Sequence, residues 1–295
     1  MDFKSVTGLT IPAGNVNKIS IGGVVYWNKE ISAGSKYKIM KDGIQIAQVT
    51  MSRLVKQVNS GAAQEDYGIG AQIIVPYNDP FNNTEYELPF NFGTFTAVGN
   101  KKLGLQAHYG IPSKNVPYGG YCTWYLSYFR RWANNSDIST LKGTDYYGKR
   151  SFIESLPEDF TDFFGTHTVR ATKVTTEPEE DADDKIFLLS VTQSHALGSY
   201  MVSDPSGAIE GTAWEYWKQK IGDNAQKYGY TNTNRIVYAV NNTSLPVSTF
   251  TRTLYASTNK YGITTYYVHY FAERGYTSNS SPNLATRYLP ACVIG

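Results

Sequence analysis

The stretch from Tyr228 to Tyr288 limits the possible folds of this chain more than any other part of it. Its 61 residues contain 10 Tyr, 7 Asn and 17 Ser or Thr, and its only acidic residue is Glu273. Disordered segments are poor in aromatic residues, so this stretch is expected to fold. Tyrosine and threonine favour strands, whereas asparagine and serine favour the turns between them. The stretch therefore predicts strands separated by polar loops.

The composition of the whole chain narrows the functional classes. It has 27 basic and 25 acidic residues, a formal net charge of +2. Nucleic-acid binding needs a concentrated basic face, so we expect no nucleic-acid partner. No apolar run approaches the roughly 18 residues that span a bilayer, and Met1 opens a polar stretch rather than a signal peptide. We expect a soluble protein, made in the cytoplasm, with no membrane insertion.

Residues 1–31 predict a small β module of their own. One β-prone run ends at Ile21 and another starts at Val24, with Gly22-Gly23 between them, which is typical of a hairpin. A lone hairpin is marginal in water and needs a packing partner. It is either an edge hairpin of the main domain or a docking module for a larger assembly, and we favour docking. Residues 32–35 are a short linker.

Residues 36–295 predict a few helices among short strands. Apolar residues at helical spacing predict helices around 54–58, over 121–133 and within 151–164. Pro157 is expected to kink or divide the third of these. The spacing of Thr212 and Glu215 is that of a capping box and predicts the start of another helix. Strands are predicted within 44–49, 73–75, 186–189, 236–240 and 266–271.

Four landmarks in residues 36–295 follow the order that is typical of one protein family. They are Asp184–Ser190, Glu210–Trp217, Phe250–Thr253 and Thr286–Ile294. In this order the chain resembles a family of C-type-lectin-like domains of unassigned function, common in gut bacteria and their phages. Residues 125–132 and 156–159 match the earlier helices of that family. The chain departs from the family pattern in two places, because 250–253 lacks a tryptophan and a proline and 288–289 interrupts a final Arg-Pro pair.

The resemblance implies an α+β, C-type-lectin-like fold, with a few helices around antiparallel sheets, distantly similar to the formylglycine-generating enzymes. Phage members of the family are tail or virion-surface proteins. We therefore expect a virion protein, on the tail or capsid, made in the cytoplasm of a bacterial host. Its expected function is non-enzymatic receptor binding, as an adhesin for a bacterial surface glycan or protein during host attachment. Residues 1–31 would dock it to other virion or tail proteins, and we expect a homo-oligomer, with a trimer favoured.

Three other functions remain open from the sequence. The chain could be a purely structural virion component, such as a capsid decoration or baseplate protein, whose tyrosine-rich surface is buried in its own assembly. It could be a variable binding protein diversified by a retroelement, since this fold hosts such proteins. It could also be an enzyme of the formylglycine-generating type, which depends on an active-site cysteine pair or thiolate-bound copper.

The sequence offers no catalytic motif, and we expect neither enzymatic activity nor a cofactor. The four histidines are His108, His167, His195 and His269. No metal-binding spacing joins any two of them, and neither a G-x-S-x-G elbow nor a P-loop is present. Cys122 and Cys292 both have apolar neighbours, which predicts small buried side chains rather than redox or metal ligands.

One acidic run has the composition of a calcium site. Residues 177–184 hold six carboxylates, which are the oxygen ligands that Ca²⁺ prefers. They lack the alternating ligands and the glycine of an EF-hand. Glu177-Pro178-Glu179 is similar to a calcium-lectin signature, but its partner motif is missing. We predict a solvated acidic loop and no metal ion.

The tyrosine-rich region is the strongest functional signal. Tyrosine offers a large flat contact area with only two torsions to freeze, and Ser, Thr and Asn add adaptable polar contacts. The alternative is that these tyrosines pack on their own sheet, a role that is available to strand tyrosines such as Tyr238. Arg252 and Arg287 match landmarks of the family, and the resemblance implies that they stabilise the fold. Tyr267 and His269 share one strand face. The predicted ligand-binding residues are Tyr255, Asn259, Tyr261, Tyr267, His269, Tyr276 and Asn279.

Overall fold

The computed structural model describes residues 18–21, 24–28, 37–112, 124–169, 181–196, 211–222, 232–258, 260–261, 263–281 and 286–295. Several sequence predictions fall wholly or partly outside these residues. They concern residues 1–17 of the amino-terminal module, the linker 32–35, Cys122, residues 177–180 of the acidic run and Asn259.

The described residues form an α+β structure of mostly antiparallel strands with few helices. The strands are β1 (Lys18–Ile21), β2 (Val24–Asn28), β3 (Tyr37–Lys41), β4 (Ile44–Val49), β5 (Gln72–Asp79), β6 (Thr84–Thr94), β7 (Leu103–Ala107), β8 (Ile111–Pro112), β9 (Phe164–Gly165), β10 (His167–Val169), β11 (Ala182–Asp184), β12 (Phe187–Leu188), β13 (Val237–Ala239), β14 (Asn242–Val247), β15 (Thr249–Thr258), β16 (Thr264–Phe271), β17 (Thr277–Ser280), β18 (Arg287–Tyr288) and β19 (Pro290–Ile294). The α-helices are α1 (Met51–Ser60), α2 (Ala62–Asp66), α3 (Tyr128–Ala133), α4 (Glu158–Thr161) and α5 (Glu215–Ile221).

The two first strands form the predicted hairpin. β1 and β2 are antiparallel, with Ile19 opposite Trp27 and Ile21 opposite Val24. The register shifts by one residue between Ile19 and Ser20. The β-prone runs on both sides of the two glycines are therefore confirmed as paired strands.

The larger of the two main sheets has eight strands. Its strand order is β12-β19-β7-β6-β5-β3-β4, with β9 also paired to β19. Every pair in it is antiparallel. Asp42 and Gly43 connect β3 to β4 with φ of 50° and 78°, the left-handed backbone that a tight Asp-Gly hairpin turn requires. β19 is buried along its whole length and lies between β12 and β7.

A second sheet has the order β17-β16-β15-β18-β8. β15 and β18 are parallel, whereas the other pairs are antiparallel. The hairpin β13–β14 lies next to this sheet, because Ala239 bridges to Gly110 just before β8. This arrangement confirms the predicted strands within 236–240 and 266–271.

A chain of aromatic rings joins the two sheets through α3. Phe250 of β15 lies 6.1 Å from Tyr288 of β18, measured between ring centroids. Tyr288 stacks on Phe129 of α3 at 3.6 Å, and Phe129 lies 5.6 Å from Trp132. Trp132 contacts Phe81, which follows β5 of the larger sheet, at 5.2 Å. Burial of these large rings supplies much of the hydrophobic stabilisation.

The predicted helices are present with other bounds: α1 extends beyond the predicted 54–58, whereas the helices within 121–133 and 151–164 are shorter than predicted. α1 is capped at its start by Thr50, whose side chain accepts a hydrogen bond from the Arg53 amide, and at its end by Gly61. α3 covers only the second half of the predicted 121–133 segment, because Ser127 caps it by accepting from the Arg130 amide. Pro157 divides the 151–164 segment as predicted, with a 3-10 turn before it and α4 after it.

The predicted capping box before α5 is wrong. The helix begins at Glu215, and no side chain caps its first turn. The Glu215 carboxylate instead accepts a hydrogen bond from the Thr96 hydroxyl, which holds α5 against the end of β6. Tertiary contacts therefore replace the local cap that the spacing of Thr212 and Glu215 predicts.

Two glycines make room for the residue that precedes α5. Trp214 is fully buried over β6 and β7. A Cβ atom at Gly93 would lie 2.3 Å from Cε3 of Trp214, and one at Gly104 would lie 2.9 Å from its Cη2. Since carbon atoms pack at about 3.5–4.0 Å, only glycine fits at both positions. This contact fixes where α5 lies on the larger sheet.

Candidate functional site

The hairpin formed by β15 and β16 extends from the core into solvent. Val268 and His269 are fully buried, whereas Thr265 is exposed. Beyond the strands, Ile263 is 61% exposed and Tyr261 is 75% exposed. We call Lys260, Tyr261 and Ile263 the hairpin tip. The base of this hairpin is anchored between neighbouring strands, and its tip presents apolar side chains to water.

The strand register brings several predicted ligand-binding residues to neighbouring positions. Tyr255 of β15 lies opposite Tyr267 of β16, and His269 of β16 lies opposite Asn279 of β17. Tyr267 is half-buried. Tyr261 lies farther out, at the hairpin tip. Tyr255, Tyr267, His269 and Asn279 therefore belong to one continuous sheet, and Tyr261 to its protruding end.

His269 does not lie on the accessible part of this surface. Its strand, β16, is paired on both sides, and the imidazole is fully buried. Burial lowers the pKa of His269 to about 4, so the ring is neutral at physiological pH. We therefore assign His269 to the interior of the sheet. Tyr276 is half-buried in the turn before β17, where the Ala272 amide donates to the Tyr276 carbonyl at 2.8 Å.

The tyrosines of 228–288 divide between surface and core. Among those with described side chains, Tyr238 and Tyr261 are exposed, Tyr267, Tyr270 and Tyr276 are half-buried, and Tyr288 is buried. The tyrosine content of this region therefore serves packing as well as surface contact.

A cleft lies where α5, the larger sheet and β13 meet. Its cavity volume is about 60 Å³. Its lining includes Asn91, His108, Tyr216, Trp217, Lys220 and Tyr238. We call it the α5 cleft. Tyr238 is 37% exposed and lies at the cleft, so its predicted purely structural role is incomplete.

The aromatic wall of the α5 cleft is held by specific contacts. The Trp217 indole donates from Nε1 to Oε1 of Gln106 at 2.8 Å, and both side chains are buried. The Tyr216 and Trp217 rings meet edge to face, with centroids 5.3 Å apart. Nζ of Lys220 lies 5.3 Å from the centroids of both rings, within the range of a cation–π interaction. The lysine is thereby oriented by the two rings.

The opposite wall is a small polar network around His108. Its Nδ1 lies 3.1 Å from Nε2 of Gln72 and 3.1 Å from Oδ1 of Asn91, and the two amides are joined at 2.9 Å. Burial, and secondarily the nearby charge of Lys220, lowers the pKa of His108 to about 4. At neutral pH His108 is therefore an uncharged polar group, and Lys220 supplies the positive charge of the cleft.

The buried position of Asp184 corrects the prediction of a solvated acidic loop. Its carboxylate accepts a hydrogen bond from Nε1 of Trp124 at 2.7 Å and forms an ion pair with Nε of Arg130 at 2.9 Å. Asp181 and Asp183 are exposed, as predicted. Two of the three carboxylates within 181–184 therefore face solvent. The third, that of Asp184, is buried where it pairs with Arg130.

Arg252 has the structural role that the sequence predicts. It is buried, and its guanidinium donates to the Leu188 carbonyl at 2.7 Å and to the Gln193 side chain. These bonds connect β15 to the segment that follows β12. Arg287 is half-buried and packs against Gly110.

Cys292 is fully buried in β19, as predicted, and burial raises the pKa of its thiol. In the described ranges no group of three or more His, Cys, Asp or Glu side chains is placed to hold a metal ion. Among the helices of the described residues, none is long and apolar enough to cross a bilayer.

The sequence analysis missed the α5 cleft because its residues are far apart in the chain. His108 follows β7, Lys220 lies on α5 and Tyr238 lies on β13. One local signal was present, since Tyr216 and Trp217 lie four and three residues before Lys220 and so neighbour it on one side of a helix. That spacing identifies two aromatic residues and a cation on one face, although it does not show what faces them.

Comparison of the chain with protein-family models, with curated proteins and with solved structures found no match.

Proposed function

We propose that this chain is a non-enzymatic receptor-binding protein of a phage tail or virion surface, with a C-type-lectin-like domain that attaches to a bacterial surface glycan or protein. The observation that carries the proposal is the hairpin tip, where Tyr261 and Ile263 are the most exposed large apolar side chains of the described residues. The four ordered landmarks of the sequence support the family and the virion context.

The physical argument concerns the cost of binding. A flexible loop loses conformational freedom when it binds, which reduces its affinity. The tip lies between the two long strands β15 and β16. The base of that hairpin is held by the buried side chain of Val268 and by the pairing of β16 with β17. Tyrosine itself has few torsions to freeze. Rigid aromatic groups on an anchored hairpin are therefore suited to recognition.

The amino-terminal module and an oligomeric state complete the proposal. Residues 1–31 dock the chain to other virion proteins, and a trimer presents three tips at once. Linked copies raise the overall affinity without new contacts, because the later binding events are intramolecular. Each single site can then be weak.

The test uses a tip variant and a matched control. We expect labelled full-length protein to bind at least one strain in a panel of gut bacteria. Y261S/I263S should reduce this binding about tenfold or more, as loss of a central aromatic contact does. Y147S is the control, because Tyr147 is 50% exposed in a different part of the fold. Absence of binding to every strain, or equal binding by a folded Y261S/I263S variant, would contradict the proposal.

The second candidate is a purely structural virion component, and the same exposed apolar tip favours it, since such a tip can pack against the virion itself. Deletion of residues 1–31 distinguishes the two functions. Both predict loss of the protein from the particle. Only the adhesin function predicts that the deleted protein still binds cells.

A further inference from the structure

The α5 cleft has the chemistry of a binding site for an anionic ligand. Lys220 is the one lysine, arginine, aspartate or glutamate among its described lining residues, and no described carboxylate forms an ion pair with it. Burial lowers the pKa of Lys220, so an anion that pairs with its ammonium group would offset the cost of burying that charge. The stem of Lys220 is half-buried beside Tyr216 and Trp217. A lysine on an ordinary surface extends into water, where its charge is fully hydrated. Here the ammonium group is held at the wall of a cavity.

The other walls of the cleft supply hydrogen-bonding groups and flat rings. Asn91 and His108 form the polar wall, and the hydrogen bonds to Gln72 hold both in place. Tyr238 also lines the cleft and is 37% exposed. Pockets of this kind combine an apolar wall with a few fixed polar groups, which orient a small ligand.

The size of the cleft limits what enters it. Its volume of about 60 Å³ is several times the ~10–15 Å³ that one buried water needs. This space admits a carboxylate or phosphate group with its adjoining atoms. The rest of a larger ligand would lie on the exposed ring of Tyr238. Flat rings of this kind pack well on the C–H faces of sugar rings, whose hydroxyl groups then reach the polar wall.

We infer that the α5 cleft binds the anionic group of an acidic saccharide, a sugar carrying either a carboxylate or a phosphate. Lys220 pairs with the anion, the amide of Asn91 and the imidazole of His108 bind neighbouring oxygen atoms, and Tyr238 packs on the sugar ring. This site is separate from the hairpin tip. It goes beyond the proposed function and stands or falls independently of binding at the tip.

The experiment titrates the full-length protein with three monosaccharides and follows tryptophan fluorescence, because Trp217 lines the cleft. D-galacturonate tests the carboxylate, D-glucose 6-phosphate tests the phosphate, and D-galactose is the neutral comparison. We expect at least one acidic sugar to bind about tenfold or more tightly than galactose, the effect of one charge-assisted contact. The acidic sugar that binds more tightly identifies the anionic group.

K220M tests the assigned residue, and K218M is its matched control. Lys218 lies on the same helix but is exposed. K220M keeps most of the stem, and we expect it to lose about tenfold in affinity for the acidic sugar while K218M keeps the wild-type value. Y238A should weaken binding without abolishing the preference for acidic sugars.

Two further results decide the inference. An anion beside His108 stabilises the protonated ring, so the pKa of His108, followed by NMR, should rise when the acidic sugar binds. Binding of galactose as tight as that of both acidic sugars, no binding of either acidic sugar, or unchanged affinity in folded K220M would each overturn the inference. A variant of the hairpin tip that loses cell binding but keeps acidic-sugar binding supports both proposals and shows that the two sites act separately.

Discussion

Adding one methyl group at Gly93 should destabilise the protein and disturb the α5 cleft together. In G93A the new Cβ would lie 2.3 Å from Cε3 and 2.6 Å from Cζ3 of Trp214. Carbon atoms in a packed core lie about 3.5–4.0 Å apart, so the indole or strand β6 must move by about 1 Å. Gly93 does not have a positive φ, so alanine adds no backbone strain. The clash alone accounts for the effect.

The expected size follows from overpacked cores. Such changes cost about 1–3 kcal/mol. Each kcal/mol shifts the Tm of a domain this large by about 2–4 °C, so G93A should melt roughly 2–12 °C lower in scanning calorimetry. Trp214 immediately precedes α5, and a displaced indole moves Trp217 and Lys220 with it. Affinity for an acidic sugar should therefore fall in the same variant.

The matched control is G165A. A Cβ at Gly165 would have its nearest contact with the Val293 carbonyl at 3.6 Å, an ordinary separation, and its φ is not positive. We expect G165A within about 0.5 kcal/mol of wild type. Replacing Trp214 by phenylalanine in the G93A background should recover part of the loss, since the smaller ring leaves room for the methyl group. If G93A has the same Tm as G165A, the Trp214 indole does not pack tightly against Gly93, and the packing argument is refuted.

Three further predictions concern other parts of the fold. D184N leaves the buried Arg130 guanidinium without its carboxylate and should cost about 3–5 kcal/mol in urea unfolding, whereas D183N at an exposed position should cost less than about 1 kcal/mol; equal costs would contradict the buried ion pair. His108 has a pKa of about 4 in the folded protein against 6.5 as a free side chain, so unfolding takes up a proton between these pH values and the free energy of unfolding falls as the pH drops from 6.5 to 4. H108Q should reduce the proton uptake on unfolding by about one, and an unchanged pH dependence of the free energy of unfolding would refute this prediction. Y261S should leave the Tm unchanged within about 1–2 °C because the side chain is exposed, and a larger drop would mean that Tyr261 contributes to packing.

Local patterns in the sequence predicted the elements whose signals are local. The residues around Leu54 and Val58 repeat at helical spacing and bury one face of α1, and Pro157 ends one helical turn and starts the next because its ring fits only the first turn of a helix. The β1–β2 hairpin follows in the same way from two β-prone runs beside a turn. Asp42-Gly43, between β3 and β4, is an equally clear local signal for a hairpin.

Features set by distant residues could not be predicted. Asp184 belongs to an acidic run that looks solvated, and its burial depends on Trp124 and Arg130, more than fifty residues earlier in the chain. Glu215 fails to form a capping box because Thr96, 119 residues earlier in the chain, binds its carboxylate. His269 lies in a polar, tyrosine-rich stretch, but the folded chain buries its side chain completely. In each case a tertiary contact overrides a reasonable local rule.

The α5 cleft and the hairpin tip share one arrangement although they are far apart in sequence. Lys220 lies over Tyr216 and Trp217, and Lys260 lies 5.0 Å from the ring centroid of Tyr261. Neither lysine forms an ion pair with a described carboxylate. The region from 228 to 288 has one acidic residue against five basic ones, while the whole chain is close to neutral. Lys220 lies outside that region, but at both places a lysine stands beside aromatic rings, and a local cation attracts anionic ligands more strongly than the net charge of +2 suggests. Both surfaces are accordingly suited to partners that combine negative charge with flat apolar faces, which is the chemistry of acidic saccharides.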